Sequence, residues 1–228
     1  MTAPSNYLSF CMDSLRYDMF MKAKAKTFHN FTDYDAACSR AGFTVPSIFA
    51  SFMNEYWYES GNKRLIQDCK VWGWVPSDLQ AEGFFTAFLS DNWFVKLYRP
   101  TFEKGFSKFI IYQYGTGIEN ITEELIKIYD EVEERKFIFV LTMETHQPYM
   151  IEGKEPEPKH TVRNQIRGVE YIDPFFKRIL KRLSGTNTEI TVFSDHGDLD
   201  PELEGVFGHG PEMFHRKLFE IPLGRRTI

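Results

Sequence analysis

The chain of 228 residues has only three cysteines, no long apolar run and no excess of basic residues. Cys11, Cys38 and Cys69 are odd in number and not closely spaced, which fits neither a disulfide framework nor a cysteine-based zinc cluster. They read as reduced thiols, with Cys11 inside an apolar run. Residues 1–10 have neither a positively charged start nor an extended apolar stretch, and no later segment is apolar enough to span a bilayer. The expectation is a cytoplasmic protein without membrane insertion. The formal net charge of -5 lacks the cationic surplus that contacts to a phosphate backbone require, so nucleic acid is not the expected partner. A small charged or polar substrate is compatible with it.

What is present is enough apolar sequence, 43%, for one α/β domain over residues 1–228 with a substantial core. The 22 Phe residues predict a bulky interior and by themselves say nothing about a ligand. Short apolar runs recur at 7–12, 84–89, 109–112, 137–142 and 190–194, separated by amphipathic stretches. Over 123–134, Leu125, Ile128, Tyr129 and Val132 share a helical face; over Asn164–Leu183, Val169, Ile172, Phe176 and Leu180 do the same. This alternation predicts a doubly wound, mostly parallel sheet with helices on both faces. No internal repeat is present, and 152–159, rich in Pro, Glu and Lys, reads as an exposed loop.

Ligands of open parallel sheets bind beyond the carboxyl ends of the strands. Polar residues follow three of the runs there: Asp13 to Arg16, Glu144 to Tyr149, and Ser194 to Asp198. Asp195 and His196 are adjacent, and adjacent strand residues face opposite ways, so they can share one ion only if the strand has ended and the chain turns, which Gly197 permits. A carboxylate with an imidazole suits zinc or manganese, and Asp13 would bring a second carboxylate. The alternative is that Asp13 caps the following helix and His196 lies on a surface loop. Thr44 precedes Val45 and Pro46, the latter placed as a first helical residue, and Ile48, Phe49, Phe52 and Met53 continue a helix. A hydroxyl beside a helix amino terminus favours a bound anion and its own alkoxide, and a nearby cation adds to both effects. Thr44 can equally be a capping or turn residue.

Four segments together carry a resemblance. Cys11-Met12-Asp13-Ser14-Leu15-Arg16-Tyr17-Asp18, Ala41-Gly42-Phe43-Thr44-Val45-Pro46-Ser47, Thr145-His146-Gln147-Pro148-Tyr149 and Ser194-Asp195-His196-Gly197-Asp198, with Gly208-His209-Gly210 after it, resemble in this order the sulfatase branch of the alkaline phosphatase superfamily. Weaker similarities, from Ala81 to Ala87, at Tyr171 with Asp173 and at Ile221-Pro222-Leu223, extend it through nearly the whole chain. The pattern is most similar to the threonine-nucleophile group, which includes phosphoethanolamine transferases and lipoteichoic acid synthases. The resemblance implies an alkaline phosphatase-like core and one divalent ion, zinc or manganese before calcium or magnesium, at Asp13, Asp195 and His196. It further implies Thr44 as nucleophile beside that ion, and His146 and His209 at the phosphoryl group or the leaving oxygen. Arg16 either reaches a phosphate oxygen or pairs with Asp18, and the pairing is the favoured reading. Ser14 is a further candidate near the metal, while Asp198 and Asp200 read as solvated loop carboxylates.

Departures from the family pattern narrow the chemistry. True sulfatases have Cys or Ser, converted to formylglycine, where this chain has Thr44, and Arg where it has Ile48. Their lysine after the Gly-aromatic-Thr step has no match, since Ser90, Asp91 and Asn92 stand there. The expected function is therefore hydrolysis or transfer of a small phosphate-type ester through a phosphothreonine, with phosphonate or sulfate ester hydrolysis as the alternative. Membrane-bound members carry transmembrane helices before this domain; none is found here, so a bilayer lipid is not the expected substrate. Relatives usually continue beyond the strand matched by Ile221-Pro222-Leu223. Either part of the pocket is missing or a partner, such as a second copy of the chain, completes it. A catalytically silent, metal-binding interaction domain is the third expectation, and the intact Thr44, Asp13, Asp195 and His196 speak against it.

Overall fold

The computed structural model describes residues 3–52, 74–114, 117–152, 154–156, 161–206 and 208–228. Seven strands, β1 (Asn6–Met12), β2 (Asp35–Cys38), β3 (Phe85–Ser90), β4 (Lys108–Ile111), β5 (Lys136–Thr142), β6 (Thr188–Phe193) and β7 (Glu220–Thr227), form one sheet. Their order is β2-β7-β6-β1-β5-β3-β4. Strands β6, β1, β5, β3 and β4 are mutually parallel, whereas β7 runs antiparallel to β6, and β2 antiparallel to β7. All five predicted strands are present, each with a boundary moved by one or two residues. Strand β2 had no apolar signal: Asp-Ala-Ala-Cys is an edge segment, mostly exposed, made a strand by pairing with β7.

The sheet is covered on both faces because its strands are apolar on both. Leu8, Phe10 and Met12 of β1 face one layer, where they meet helices α1 (Lys26–Phe31), α4 (Gly117–Glu131) and α5 (Asn164–Leu183). Cys11, Phe139 and Leu141 face the other, against helix α2 (Thr44–Phe52), the segment after α3 (Val75–Ala81), and Phe102. Phenylalanines fill both layers. Phe28 stacks on Phe176 at 4.2 Å between centroids, and Phe52 meets Phe139 edge-on at 4.7 Å.

Helix α5 has the predicted bounds, with Pro174 inside it. Helix α4 begins at Gly117 and ends at Glu131, against the expected 123–134. Its start is fixed from outside: the Ile118 N–H donates to Glu144 Oε1 at 3.0 Å, and Gly117 lies where a Cβ would be 2.1 Å from Asp91 Cγ. Helix α2 begins at Thr44, two residues before Pro46. Met53, Cys69 and much of the 152–159 loop lie outside the described residues; Ile151 and Lys154 form an antiparallel bridge.

Phe176 is fully buried and touches Phe10, Phe28 and Phe31. Phe176→Ala should lower unfolding stability by about 3–5 kcal/mol, read from the denaturant midpoint, because it leaves a cavity that stacked rings cannot close.

Candidate metal-dependent active site

Asp13, Thr44, His146, Asp195 and His196 all lie at the carboxyl edge of the parallel strands or on the segments that follow. Strand β6 ends at Phe193, so Asp195 and His196 are on a turn. Gly197 makes that turn possible: a Cβ there would sit 1.9 Å from the Lys217 carbonyl oxygen. Its N–H donates to the Leu218 carbonyl at 2.8 Å, which ties the turn to the segment leading into β7. The Asp195 backbone carbonyl accepts hydroxyl hydrogen bonds from Ser39 and Ser47, both buried. Ser14, held at φ 60°, and His196 both donate their backbone N–H to Asp195 Oδ1, at 3.0 and 2.9 Å.

These bonds leave Asp195 Oδ2 buried and, among the described residues, without a hydrogen-bond partner. It lies 3.4 Å from His196 Nε2, and Asp13 Oδ1 is 3.7 Å from the same nitrogen. One donor atom from each of Asp13, Asp195 and His196 falls within 4.8 Å of the others. His196 Nδ1 is 2.7 Å from the Gly197 carbonyl oxygen, which fixes the proton on Nδ1 and turns the Nε2 lone pair towards the carboxylates. Burial and the charge of His209 push the His196 pKa down to about 3, so the imidazole is neutral, as a ligand must be. Burial raises Asp195 to about 6 and, with the charge of Asp195, raises Asp13. Two crowded carboxylates, a free oxygen and a neutral imidazole fit a divalent cation with an open coordination position. Asp13 does not cap a helix, since the turn at Tyr17–Phe20 has no side-chain cap, and His196 is fully buried rather than on a surface loop.

Thr44 opens α2 on the open side of this cluster. Its Oγ1 is 3.1 Å from His196 Nε2 and 3.4 Å from Asp13 Oδ2. His209 packs against both other histidines, with ring centroids 4.3 Å from His196 and 5.2 Å from His146. Burial opposes charge on His209, but the hydrogen bond that its Nδ1 donates to Asp198 Oδ1 at 3.1 Å and the charge of Asp198 outweigh it, and the pKa lies above the ordinary value. His146 turns its Nδ1 to the Gln147 carbonyl and is half-buried.

Other polar residues surround the cluster. Arg16 is buried, forks onto Asp18 at 2.9 Å through both Nε and Nη2, and meets Glu204 at 3.0 Å. Its guanidinium is thus engaged by carboxylates of the chain itself. Ser14 Oγ donates to Asp13 Oδ1 at 2.8 Å. Asp198 and Asp200, expected to be solvated, are buried: Asp198 orients His209 and accepts from the Tyr149 hydroxyl, while Asp200 accepts from Thr161 Oγ1 and the Val162 N–H. Asn92, named in the sequence only as standing where sulfatases carry a lysine, follows the end of β3. Its Oδ1 caps the turn at Trp93–Lys96, which leaves Nδ2 to donate to Asp13 Oδ2 at 2.6 Å. Only the fold makes this visible, for an Asn after an apolar run is common in turns.

The profile of the family described as Sulfatase matches residues 5–223. No curated protein sequence matches the chain. Among solved structures, the C-terminal periplasmic domain of EcEptC from Escherichia coli superposes with a TM-score of 0.73 at 13% identity, covering 100% of this chain and 73% of that one. It has also been solved as a complex with Zn. The C-terminal periplasmic domain of the phosphoethanolamine transferase EptC from Campylobacter jejuni gives 0.70 at 16% identity, covering 99% and 80%. The lipoteichoic acid synthase LtaP from Listeria monocytogenes gives 0.68 at 14% identity, covering 98% and 65%. The cytoplasmic placement expected from the sequence is overturned by these matches, two of which are periplasmic domains. No helix among the described residues is long and apolar enough to cross a membrane, which does not tell one side of a membrane from the other.

The ligand geometry predicts about one tightly held divalent ion per chain by metal analysis. Asp195→Ala or His196→Ala should each abolish it, while Asp200→Asn, outside the cluster, should not.

Proposed function

The chain belongs to the sulfatase family, and on that premise we propose that it is a metal-dependent hydrolase or transferase of small phosphate-type esters that works through a phosphothreonine at Thr44. The observation that carries this reading is the position of Thr44 Oγ1, 3.1 Å from His196 Nε2 at the first turn of α2. Support of a different kind comes from the transferase and synthase domains that share the fold.

Asp13, Asp195 and His196 would hold the ion, zinc or manganese. Once bound, it would supply the positive charge that eases ionisation of a neighbouring hydroxyl and of a phosphoryl group. Thr44, its hydroxyl proton released to solvent, then attacks phosphorus in line with the leaving oxygen, forming the Thr44 Oγ1–P bond as the P–O bond to the leaving group breaks. The amino terminus of α2 favours the charge that gathers there. His209, whose charged form Asp198 favours, would give the departing oxygen its proton, and His146, beside it, would bind the phosphoryl oxygens. Water or an alcohol next attacks phosphorus and loses its proton to the now neutral His209. The Oγ1–P bond breaks, and Thr44 recovers its hydroxyl proton from solvent. Splitting one displacement into two lowers each barrier. Arg16 is assigned to structure, since its donors are already paired inside the protein. A plain threonine cannot become formylglycine, which weighs against sulfate esters.

Activity is expected on phosphate mono- or diesters with zinc or manganese. Thr44→Ala should lose roughly three or more orders of magnitude in kcat, as loss of a nucleophile typically does, and acid quench of the wild type should trap phosphate on Thr44, seen by mass spectrometry. Unchanged phosphatase activity in Thr44→Ala, or robust sulfatase activity, would overturn the proposal.

A further inference from the structure

Tyr149 is buried and reaches both of the histidines assigned to the phosphoryl group and its leaving oxygen. Its backbone N–H donates to the His146 carbonyl at 2.7 Å and closes the turn that His146 begins. Its hydroxyl donates to Asp198 Oδ2 at 3.3 Å. The other oxygen of that carboxyl, Oδ1, accepts from His209 Nδ1 at 3.1 Å and from the Leu199 N–H at 3.1 Å. One residue of the segment after β5 thus fixes the turn of His146 directly and the ring of His209 through a single carboxylate. The two rings come from different strand ends and stand 5.2 Å apart between centroids.

The backbone of Tyr149 has φ 60°, a left-handed conformation that a residue with a bulky side chain adopts only where its surroundings hold it there. In that conformation its N–H meets His146 while its hydroxyl meets the loop after β6. Burial and the charge of Asp198 raise the pKa of the phenol, so it keeps its proton and remains a donor. Asp198 is itself buried, and the plane of its carboxyl is set by donors from the protein. Donors on both oxygens stop the carboxyl from rotating, whereas donors on Oδ1 alone would let Oδ2 swing and carry the imidazole with it. With Nδ1 of His209 taken by Asp198, Nε2 is the ring nitrogen left to meet a ligand.

We infer that Tyr149 is a positioning residue, whose hydroxyl fixes the Asp198 carboxyl so that His209 Nε2 is aimed at the leaving oxygen at a set spacing from His146. The inference deepens the proposed reaction and rests on His209 being its acid. No bond to Tyr149 forms or breaks. It acts through His209 on the step in which the P–O bond to the leaving group breaks and the departing oxygen takes a proton from Nε2. The contribution of Tyr149 therefore scales with how much that oxygen needs the proton: a weakly acidic phenol or an alcohol needs it, and nitrophenolate leaves without it.

The test is Tyr149→Phe in the full, zinc-loaded chain, which removes the hydroxyl and retains the ring and the backbone bond to His146. The probes are aryl phosphate esters, mono- and diesters, whose leaving groups run from nitrophenol to unsubstituted phenol. The kcat/KM, which reports the step that releases the phenol, should fall about tenfold or more for phenol esters and much less for nitrophenol esters, as weakened general acid catalysis does. Zinc content should stay at about one equivalent. In an Asp198→Asn background the same substitution should add little, because the two residues act through one path. A measurement without turnover separates this inference from the reaction on which it rests. The downfield proton resonance of the His209 Nδ1–H, identified by its loss in His209→Gln, should move in Tyr149→Phe. If no ester is turned over, or if His209→Gln keeps full rate on phenol esters, the reaction fails on its own account, and the resonance alone decides whether Tyr149 holds the ring. The inference is overturned if that resonance is unmoved, if Tyr149→Phe slows all leaving groups equally, or if zinc is lost with the hydroxyl.

Discussion

Asp195 and His196 are consecutive residues, and consecutive residues on a strand point away from each other. Everything in the site depends on the chain turning after β6 so that both reach one place. Gly197 packs its α-carbon against the Lys217 carbonyl with no space for a side chain, while Ser39, before α2, and Ser47, within its first turn, clamp the Asp195 carbonyl. The same two serines therefore tie the turn to the helix that carries Thr44. A hydroxyl, an imidazole and two carboxylates from three distant stretches are held to one geometry by hydrogen bonds to the residues of a single turn.

That geometry has an electrostatic cost. Asp13, Asp91, Glu144 and Asp195 are all buried at the sheet edge, and burial raises the pKa of each. The fold offsets part of this with backbone N–H donors, as at Asp195 Oδ1, and with the positive end of α4 beside Glu144. What remains is an excess of negative potential with oxygens left free, which is the condition for holding cations. By contrast, Arg16 and Asp198 illustrate charges that are already satisfied. The former closes a network with Asp18 and Glu204, and the latter orients His209.

Apolar periodicity made the layer order legible, since strands covered on both faces are apolar throughout, and Leu8, Phe10 and Met12 do meet one layer while Cys11 meets the other. The boundaries were less legible where tertiary contacts set them. Helix α4 starts early because Glu144 and Asp91 secure its first turn, and β2 exists because β7 pairs with it. Asp198 and Asp200 looked like loop carboxylates because their partners, His209, Tyr149 and Thr161, are far away in sequence or unremarkable in themselves. The placement in the cytoplasm failed for a separate reason: a catalytic domain carries no record in its composition of which side of a membrane it occupies.

The sequence by itself determined the five parallel strands of the sheet, the order of their polar endings, and the residue types offered at the site, because strand patterning and motif spacing are local properties. Only the tertiary structure decided which of those residues meet. Asn92 reaching Asp13 and Ser39 reaching Asp195 are contacts between separate strand ends. Such contacts are set by how strands stack in the sheet and how turns leave it, and they leave no periodic trace along the chain.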